Sequence, residues 1–167
     1  RMWAIPGTPG LEHRIGGLEK DNGSGLVSHD PMNHQRMCEI RAEKIDNIAN
    51  DIPEVVVDGP ESGELLVLSW GSTHGAIKNA LTSLRANGVE VSHVSLNYIN
   101  PLPRNLESVM RKFKKILIPE LNLGQLKTLI QAKYLIPVIG YNKIQGNTFT
   151  SKEIEIKIEE ILSGKEN

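Results

Sequence analysis

The chain has 167 residues, 39% of them hydrophobic and 23% charged, and it is therefore long enough to bury a core without disulfides or a structural metal. Its formal net charge is −1 and no long run carries one sign, which argues against a nucleic-acid or membrane-surface partner. A single cysteine, Cys38, excludes an internal disulfide, a cysteine-based zinc site and an iron–sulfur cluster built from this chain alone.

Residues 1–30 contain six of the 15 glycines and sustain no hydrophobic period, so an irregular connecting segment is predicted there. The segment is nevertheless too apolar for a flexible spacer. We expect it to pack on this domain or on a partner through four side chains: Trp3, Ile5, Leu11 and Ile15. No apolar run approaches the roughly 18 residues of a membrane span, and no signal-peptide pattern opens the chain, so a cytoplasmic location is expected.

Asp30 and Pro31 form an N-cap followed by proline at the first helical position, and apolar residues then recur at near-helical spacing. A helix is predicted over residues 31–50, with Cys38 as an inert packing residue within it. The predicted organisation is an irregular segment with one helix at 1–52 and a separate domain at 53–167.

From residue 64 onward, short apolar runs alternate with amphipathic segments, as is typical of strands and helices in an α/β domain. Thr150 and Glu153 form a capping-box pattern, so the last apolar stretch is predicted to be a helix. Because parallel strands need crossover connections, the predicted fold is a three-layer α/β/α domain with a mainly parallel sheet. The four strands are predicted at residues 65–70, 89–96, 115–119 and 134–141.

Loops at the carboxyl ends of parallel strands are the usual functional edge of this architecture, and Gly71, Asn97 and Glu120 are expected to share it. The loop at 71–75 opens a helix, so its backbone N–H groups and the helix dipole favour an anion. Helix capping by Ser72 or Thr73 is the competing explanation of the same residues, and it is the favoured one. The candidate anion or interface loop comprises Gly71, Ser72, Thr73, His74, Gly75, Glu120, Asn122 and Gln125.

The residues define no catalytic set and no metal site. The histidines lack ligand spacing, and His74 and His93 each stand alone, one in a turn and one in a strand pattern. Ser69 and Ser72 lack the strand–turn–helix frame of a nucleophile elbow. Glu120 is the best candidate for a general base, although a carboxylate with purely structural hydrogen bonds is the favoured interpretation.

Four stretches carry a family resemblance. Residues 3–19 and 119–126 resemble segments of the alpha subunits of 2-oxoacid:ferredoxin oxidoreductases, the 2-oxoglutarate type being nearest. Residues 70–73 and 100–103 occur between them in the family's order, whereas residues 147–148 (Asn-Thr) depart from the family's more usual Gln-Pro. The alternating strand and helix region is also similar to the carboxy-terminal domain of transketolase-like enzymes.

The resemblance implies a carboxy-terminal accessory or assembly domain of such an alpha subunit. Enzymes of this family oxidatively decarboxylate a 2-oxoacid, and the resemblance implies 2-oxoglutarate as the substrate. They use thiamine diphosphate, Mg²⁺, an iron–sulfur cluster and coenzyme A, and they reduce ferredoxin. This segment lacks the family's diphosphate motif and cluster cysteines, so it is expected to bind none of these cofactors and to be inactive alone. The implied partners are an upstream pyrimidine-binding domain of the same subunit and the beta subunit.

Two other interpretations remain open. The domain can belong to another thiamine enzyme, such as the E1 beta subunit of a 2-oxoacid dehydrogenase, although the run at residues 7–14 disfavours this. It can also be a stand-alone module that binds an anion or a protein through its loops. An upstream pyrimidine-binding domain in the parent gene would favour the oxidoreductase interpretation, and a complete gene starting here would favour the module.

Overall fold

Residues 4–13 and 16–164 are described by the computed structural model. The chain divides into two compact units, residues 1–51 and residues 52–167. Two 3-10 turns, Ile48–Asn50 and Gly71–Thr73, follow the first helix and precede the second. The helices and strands are, in chain order, α1 (Pro31–Asn47), β1 (Gly63–Trp70), α2 (His74–Ala86), β2 (Ser92–Leu96), α3 (Leu106–Met110), β3 (Phe113–Glu120), α4 (Gln125–Tyr134), β4 (Ile139–Asn142) and α5 (Ser151–Leu162).

The described part of residues 4–30 contains turns and an antiparallel bridge between Lys20 and Val27. Two of the predicted apolar anchors, Ile5 and Leu11, are 74% and 52% exposed in the chain by itself. Burial against a partner therefore remains a prediction for them. The other two, Trp3 and Ile15, lie outside the described residues.

The first helix, α1, begins as predicted. The Asp30 carboxylate accepts a hydrogen bond of 3.0 Å from the Met32 backbone N–H, and Pro31 is the first helical residue. None of the 17 residues of α1 is buried in this chain. Cys38 is accordingly exposed, so the prediction that it is a packing residue is wrong for the described part of the chain, where α1 buries none of its side chains.

The second unit is built on four parallel strands in the order β2-β1-β3-β4. The predicted strand at 89–96 begins only at Ser92, because residues 87–91 first close α2, with the Val89 N–H bonded to the Leu84 carbonyl. The predicted strand at 134–141 is likewise shorter. Tyr134 is still the last residue of α4, the next residue, Leu135, has the left-handed conformation, and β4 starts at Ile139.

Helices cover both faces of the sheet, which confirms the predicted three-layer α/β/α class. On one face, α2 and α5 bury an aliphatic core with alternate residues of β1. On the other face, α3 and α4 pack against a second core that includes β2 and β3. Each fully buried aliphatic side chain contributes roughly 1.5–3 kcal/mol relative to its exposed state, so the three buried isoleucines of α5, Ile154, Ile158 and Ile161, hold that helix firmly.

An extended segment protects the outer edge of β2. The backbone of Asp58 pairs with that of His93 through hydrogen bonds of 2.9 and 3.0 Å. The Asn105 side chain fixes the same segment by bonding the N–H and the carbonyl of Val55, both at 2.9 Å. Covered in this way, the edge of β2 offers fewer free backbone groups for pairing with another chain.

The strand order places a crevice at one edge of the sheet. The chain leaves β1 toward the face covered by α2 and leaves β3 toward the opposite face covered by α4. Ligands of open parallel sheets usually bind where successive connections diverge in this way. Because the strands are parallel, Gly71, Asn97 and Glu120 all follow carboxyl ends on this edge, as predicted.

Candidate functional site

A cavity of about 220 Å³ lies in this crevice, between the end of β1 and the end of β3. Five of the eight predicted site residues line it: Gly71, Ser72, Thr73, Glu120 and Asn122. The remaining three are separated from it, since His74 lines a different cavity, and Gly75 and Gln125 line neither of these two. We call the cavity and its two loops, residues 70–75 and 120–125, the switch-point edge.

The turn after β1 depends on Gly71, whose φ of 64° lies in the left-handed region that favours glycine. It reverses the extended Trp70 backbone into the 3-10 turn that leads to α2. The Thr73 hydroxyl donates a 3.1 Å hydrogen bond back to the Trp70 carbonyl. Neither the 3-10 turn nor α2 carries a side-chain cap, so the proposed capping by Ser72 or Thr73 is not found.

Glu120, which is only 1% exposed, holds the start of α4. Its carboxylate accepts hydrogen bonds from the backbone N–H groups of Leu126 at 2.8 Å and Lys127 at 3.1 Å. The Asn122 amide donates a third bond at 3.1 Å. A negative group at a helix start is stabilised by the free N–H groups and by the helix dipole. This geometry agrees with the structural role favoured for Glu120 over a general base.

Asn122 completes the start of α4. Its side-chain oxygen accepts from the backbone N–H groups of Gly124 at 2.7 Å and Gln125 at 3.0 Å. Gly124 has a φ of 93°, and a Cβ there would lie 3.4 Å from the Asn142 side chain, so glycine suits the position on both counts. The N–H groups of α4 are thus satisfied from within the chain, which leaves little for an external anion on this side of the cavity.

A second cavity, of about 420 Å³, lies at the carboxyl end of β2 beside the start of α2. Its wall includes His93, which is 2% exposed, and the His93 Nε2 atom lies 2.7 Å from the Ser69 hydroxyl of β1. The ring of His74 is tilted against that of His93 at 5.4 Å between centroids. Burial, together with the nearby His74, lowers the pKa of His93 to about 4.

This cluster was missed from the sequence, where His74, His93 and Ser69 were each treated separately. The available signal is weak: polar residues occur within two short strands, and the sheet register makes Ser69 and His93 diagonal neighbours, because Val67 is opposite His93 and Ser69 is opposite Ser95. Without the strand order, nothing indicates that β1 and β2 are neighbours.

In the first unit, the Glu19 carboxylate contacts the His34 ring and accepts a 3.0 Å hydrogen bond from Arg41. The hydrogen bond with His34, followed by that with Arg41, lowers the pKa of Glu19. Arg41 also lies 3.2 Å from the Cys38 sulfur. These contacts join the half-buried Glu19 to exposed side chains of α1 and give that helix a polar surface.

The donor groups of this chain do not fit the cofactors that the family resemblance implies for the whole enzyme. Among the described residues, no three His, Cys, Asp or Glu side chains are placed to share a metal ion. One cysteine is too few for the usual ligation of an iron–sulfur cluster. The best-placed carboxylate, Glu120, is already committed to α4. Within the described part of the chain, no helix has both the length and the apolar character needed to cross a membrane.

Comparisons with a family model and with individual relatives point to the same family. The family model "Pyruvate:ferredoxin oxidoreductase core domain II" matches residues 63–154. The 2-oxoglutarate oxidoreductase subunit KorA of Mycobacterium tuberculosis is 47% identical over 166 residues, which are 99% of this chain and 25% of that protein. The alpha subunit of 2-oxoacid:ferredoxin oxidoreductase 2 from Aeropyrum pernix is 32% identical, over 89% of this chain and 24% of that protein.

A solved structure shows the same fold. It is that of the 2-oxoglutarate:ferredoxin oxidoreductase from Magnetococcus marinus with 2-oxoglutarate, coenzyme A and succinyl-CoA bound. The TM-score is 0.86 and the identity 30%, with 95% of this chain and 28% of that chain covered. This chain therefore spans about a quarter of the length of the relatives to which it is most fully aligned.

Proposed function

The chain belongs to the pyruvate:ferredoxin oxidoreductase core domain II family, and from that premise we propose that it is the carboxy-terminal accessory domain of the alpha subunit of a 2-oxoacid:ferredoxin oxidoreductase. The observation that carries the proposal is the 47% identity to the mycobacterial subunit over 99% of this chain. The whole enzyme would convert a 2-oxoacid, 2-oxoglutarate by this similarity, to an acyl-CoA and pass the electrons to ferredoxin. A family match of this kind does not support the alternative assignment to a dehydrogenase E1 beta subunit.

Within that enzyme the domain would serve assembly and not the chemical step. Its switch-point edge supports this role, because its buried polar groups already have partners while Leu123, in the second loop, is 85% exposed. An exposed leucine beside a rigid, hydrogen-bonded loop is suited to burial in an interface with another part of the enzyme. Between the two roles given to this loop, anion binding and interface, the geometry favours the interface. Its members would be Gly71, Ser72, Thr73, His74, Gly75, Glu120, Asn122 and Gln125.

The cofactors of the enzyme would belong to its other parts. Thiamine diphosphate with Mg²⁺ would activate the 2-oxoacid, the iron–sulfur cluster would carry electrons, and coenzyme A would accept the acyl group, as the relative with bound coenzyme A suggests. The partners of this domain would be an upstream pyrimidine-binding domain of the same subunit and the beta subunit. Ferredoxin would meet the complete enzyme, and a cytoplasmic location is part of the same proposal.

A chimera tests the proposal directly. The segment of the mycobacterial subunit that aligns with this chain is replaced by residues 1–167, and the chimeric subunit is co-expressed with the other mycobacterial subunit. If the domain serves assembly in this family, the chimera should co-purify as a complex and oxidise 2-oxoglutarate with ferredoxin or an artificial electron acceptor. A well-folded chimera that assembles with no subunit would contradict the proposal.

Two variants sharpen the experiment. Leu123→Asp places a charge in the proposed interface and should weaken assembly, because an unpaired charge would have to be buried there. Ile156→Asp is the matched control, since Ile156 is a 45% exposed aliphatic residue of α5, away from the switch-point edge. Equal loss of assembly in both variants would contradict the assignment of the interface to this edge.

A further inference from the structure

We propose that the larger cavity, beside β2 and α2, is a binding site for a small organic anion that carries a carboxylate or phosphate group. The site adjoins the switch-point edge at His74 but is a different cavity, and the inference goes beyond the proposed function without depending on it. Three observations support it. One ring nitrogen of a buried histidine is hydrogen-bonded within the chain and the other is not. The cavity is lined by a lysine and by neutral hydrogen-bond donors, and it is also lined by apolar residues.

The buried histidine supplies the most specific of these observations. Among the described residues, the hydrogen bond formed by the His93 ring is the one between Nε2 and the Ser69 hydroxyl. No fully buried polar side-chain atom in the described part of the chain lacks a partner, so the other ring nitrogen, Nδ1, keeps some accessible surface, and the His93 ring lines the cavity. When the Ser69 hydroxyl donates to Nε2, the proton of the neutral ring is on Nδ1, which then becomes a donor toward a ligand.

The same wall provides a charge and further polar groups. His74 and Lys78 lie one turn apart on α2, and both line the cavity. Ser95 and Asn97, at the end of β2, add a hydroxyl and an amide. Together they supply a fixed positive charge and neutral donors, the combination that recognises a carboxylate or a phosphate.

Two carboxylates also lie near the site. Asp58 lines the cavity, but its charge is compensated by Arg85, whose Nη1 atom is 2.9 Å from the Asp58 carboxylate. Glu54 is exposed at the rim. A small anion held at Lys78 and His93 is therefore favoured over a bulky polyanion that would extend to Glu54.

Apolar residues also line the cavity, and they favour an organic ligand. Pro53, Val56 and Pro103 line it, and Val56 is 82% exposed. A volume of about 420 Å³ falls within the range of roughly 300–1,000 Å³ that is usual for small-molecule sites. An anion with a hydrophobic part should consequently bind more tightly than a bare one.

Nuclear magnetic resonance titration of the 167-residue chain tests the proposal, with acetate, benzoate and inorganic phosphate as probes at constant ionic strength. The expected result is saturable shifts of the Ser95 and Asn97 amides and of the His93 ring nitrogens, with Nδ1 protonated in the complex. Benzoate should bind more tightly than acetate. Saturation by the carboxylates alone or by phosphate alone supports the site and identifies the anionic group. No saturable shift with any probe overturns the proposal.

Two surface variants keep the test independent of folding. Lys78→Gln removes the charge and Asn97→Asp adds a repelling one, and each should weaken binding about tenfold or more, as expected for the loss of a hydrogen bond to a charged group. Lys152→Gln is the control, because Lys152 is an exposed lysine of α5 outside the cavity. If Lys78→Gln binds the probes as tightly as the unaltered chain does, the proposal fails.

Discussion

Individual buried polar side chains organise the functional edge of this domain. Glu120 binds the first N–H groups of α4, and His93 pairs with Ser69 inside the sheet layer. Both side chains are buried, and an unsatisfied polar atom costs more there than it does at the surface. Replacing either side chain should therefore lower the free energy of unfolding more than it weakens any interaction with a partner.

The first prediction concerns Glu120. In Glu120→Gln, an amide NH₂ replaces one carboxylate oxygen and faces the N–H groups of Leu126 or Lys127 without an acceptor. We expect the free energy of unfolding to fall by about 1–3 kcal/mol, measured by urea denaturation. Glu159→Gln, at an exposed position of α5, should be nearly neutral. A Glu120 variant as stable as this control would show that the carboxylate is not needed to start α4.

The second prediction concerns the pH dependence contributed by His93. Its pKa falls from 6.5 to about 4, chiefly through burial and then through nearby His74 and Arg85, which outweigh the opposing charge of Asp58. Between these values the unfolded chain binds a proton that the folded chain excludes. The free energy of unfolding must therefore decrease as the pH falls from about 6.5 to about 4, by up to roughly 3 kcal/mol.

Urea denaturation of the unaltered chain and of His93→Gln, at neutral pH and at about pH 4.5, measures this contribution. Glutamine can still bond the Ser69 hydroxyl but does not titrate, so the variant should lose less stability on acidification. Other groups titrate equally in both proteins and cancel in the comparison. The same acid sensitivity in both chains would contradict the lowered pKa of His93.

At the scale of elements, the clearest agreement between pattern and structure is the start of α5. The Thr150 hydroxyl accepts from the Glu153 N–H at 3.2 Å, and the Glu153 carboxylate accepts from the Thr150 N–H at 2.7 Å, which confirms the predicted capping box. The pKa of Glu153 is lowered to about 2. The hydrogen bond from the Lys143 ammonium is the largest cause, and the hydrogen bonds from Thr150 come next. One local motif thus joins α5 to the segment that follows β4.

The third prediction follows from this cap. Thr150→Ala removes the hydroxyl that accepts from the Glu153 N–H and donates to the Glu153 carboxylate, and it should lower the free energy of unfolding by about 1 kcal/mol. The pKa of Glu153 should rise while staying below its ordinary value, because Lys143 remains. Urea denaturation and carbon NMR of the carboxyl group measure the two effects. Thr82→Ala, an exposed threonine within α2, is the control and should not be destabilising. Equal effects of the two substitutions would show that the cap contributes nothing.

The metal and cofactor ligands that the chain offers determine which activities it can have on its own. The fourth prediction is that the isolated chain binds no thiamine diphosphate specifically and oxidises no 2-oxoacid, since its described residues offer no suitable set of metal and diphosphate ligands. Calorimetric titration with thiamine diphosphate and Mg²⁺ should give no saturable heat. The assembled mycobacterial enzyme is the positive control. Micromolar, Mg²⁺-dependent binding to this chain would refute the prediction.

The amino-acid sequence by itself determined the helix starts at Asp30 and Thr150, the apolar strands, the α/β class and the shared edge of Gly71, Asn97 and Glu120. These features follow from local hydrogen bonding and from hydrophobic periodicity, which act within one or two turns of the chain.

Only the tertiary structure decided the strand order, the exposure of Cys38 and the neighbourhood of His93. Ser69 and His93 are 24 residues apart, and they meet because β2 pairs with β1 in one particular register. Strand order and register are fixed by which apolar faces are buried together, a property of the whole packed domain. For that reason a serine and a histidine that are distant in the sequence form a buried hydrogen bond in the fold, and the histidine lines the larger of the two cavities.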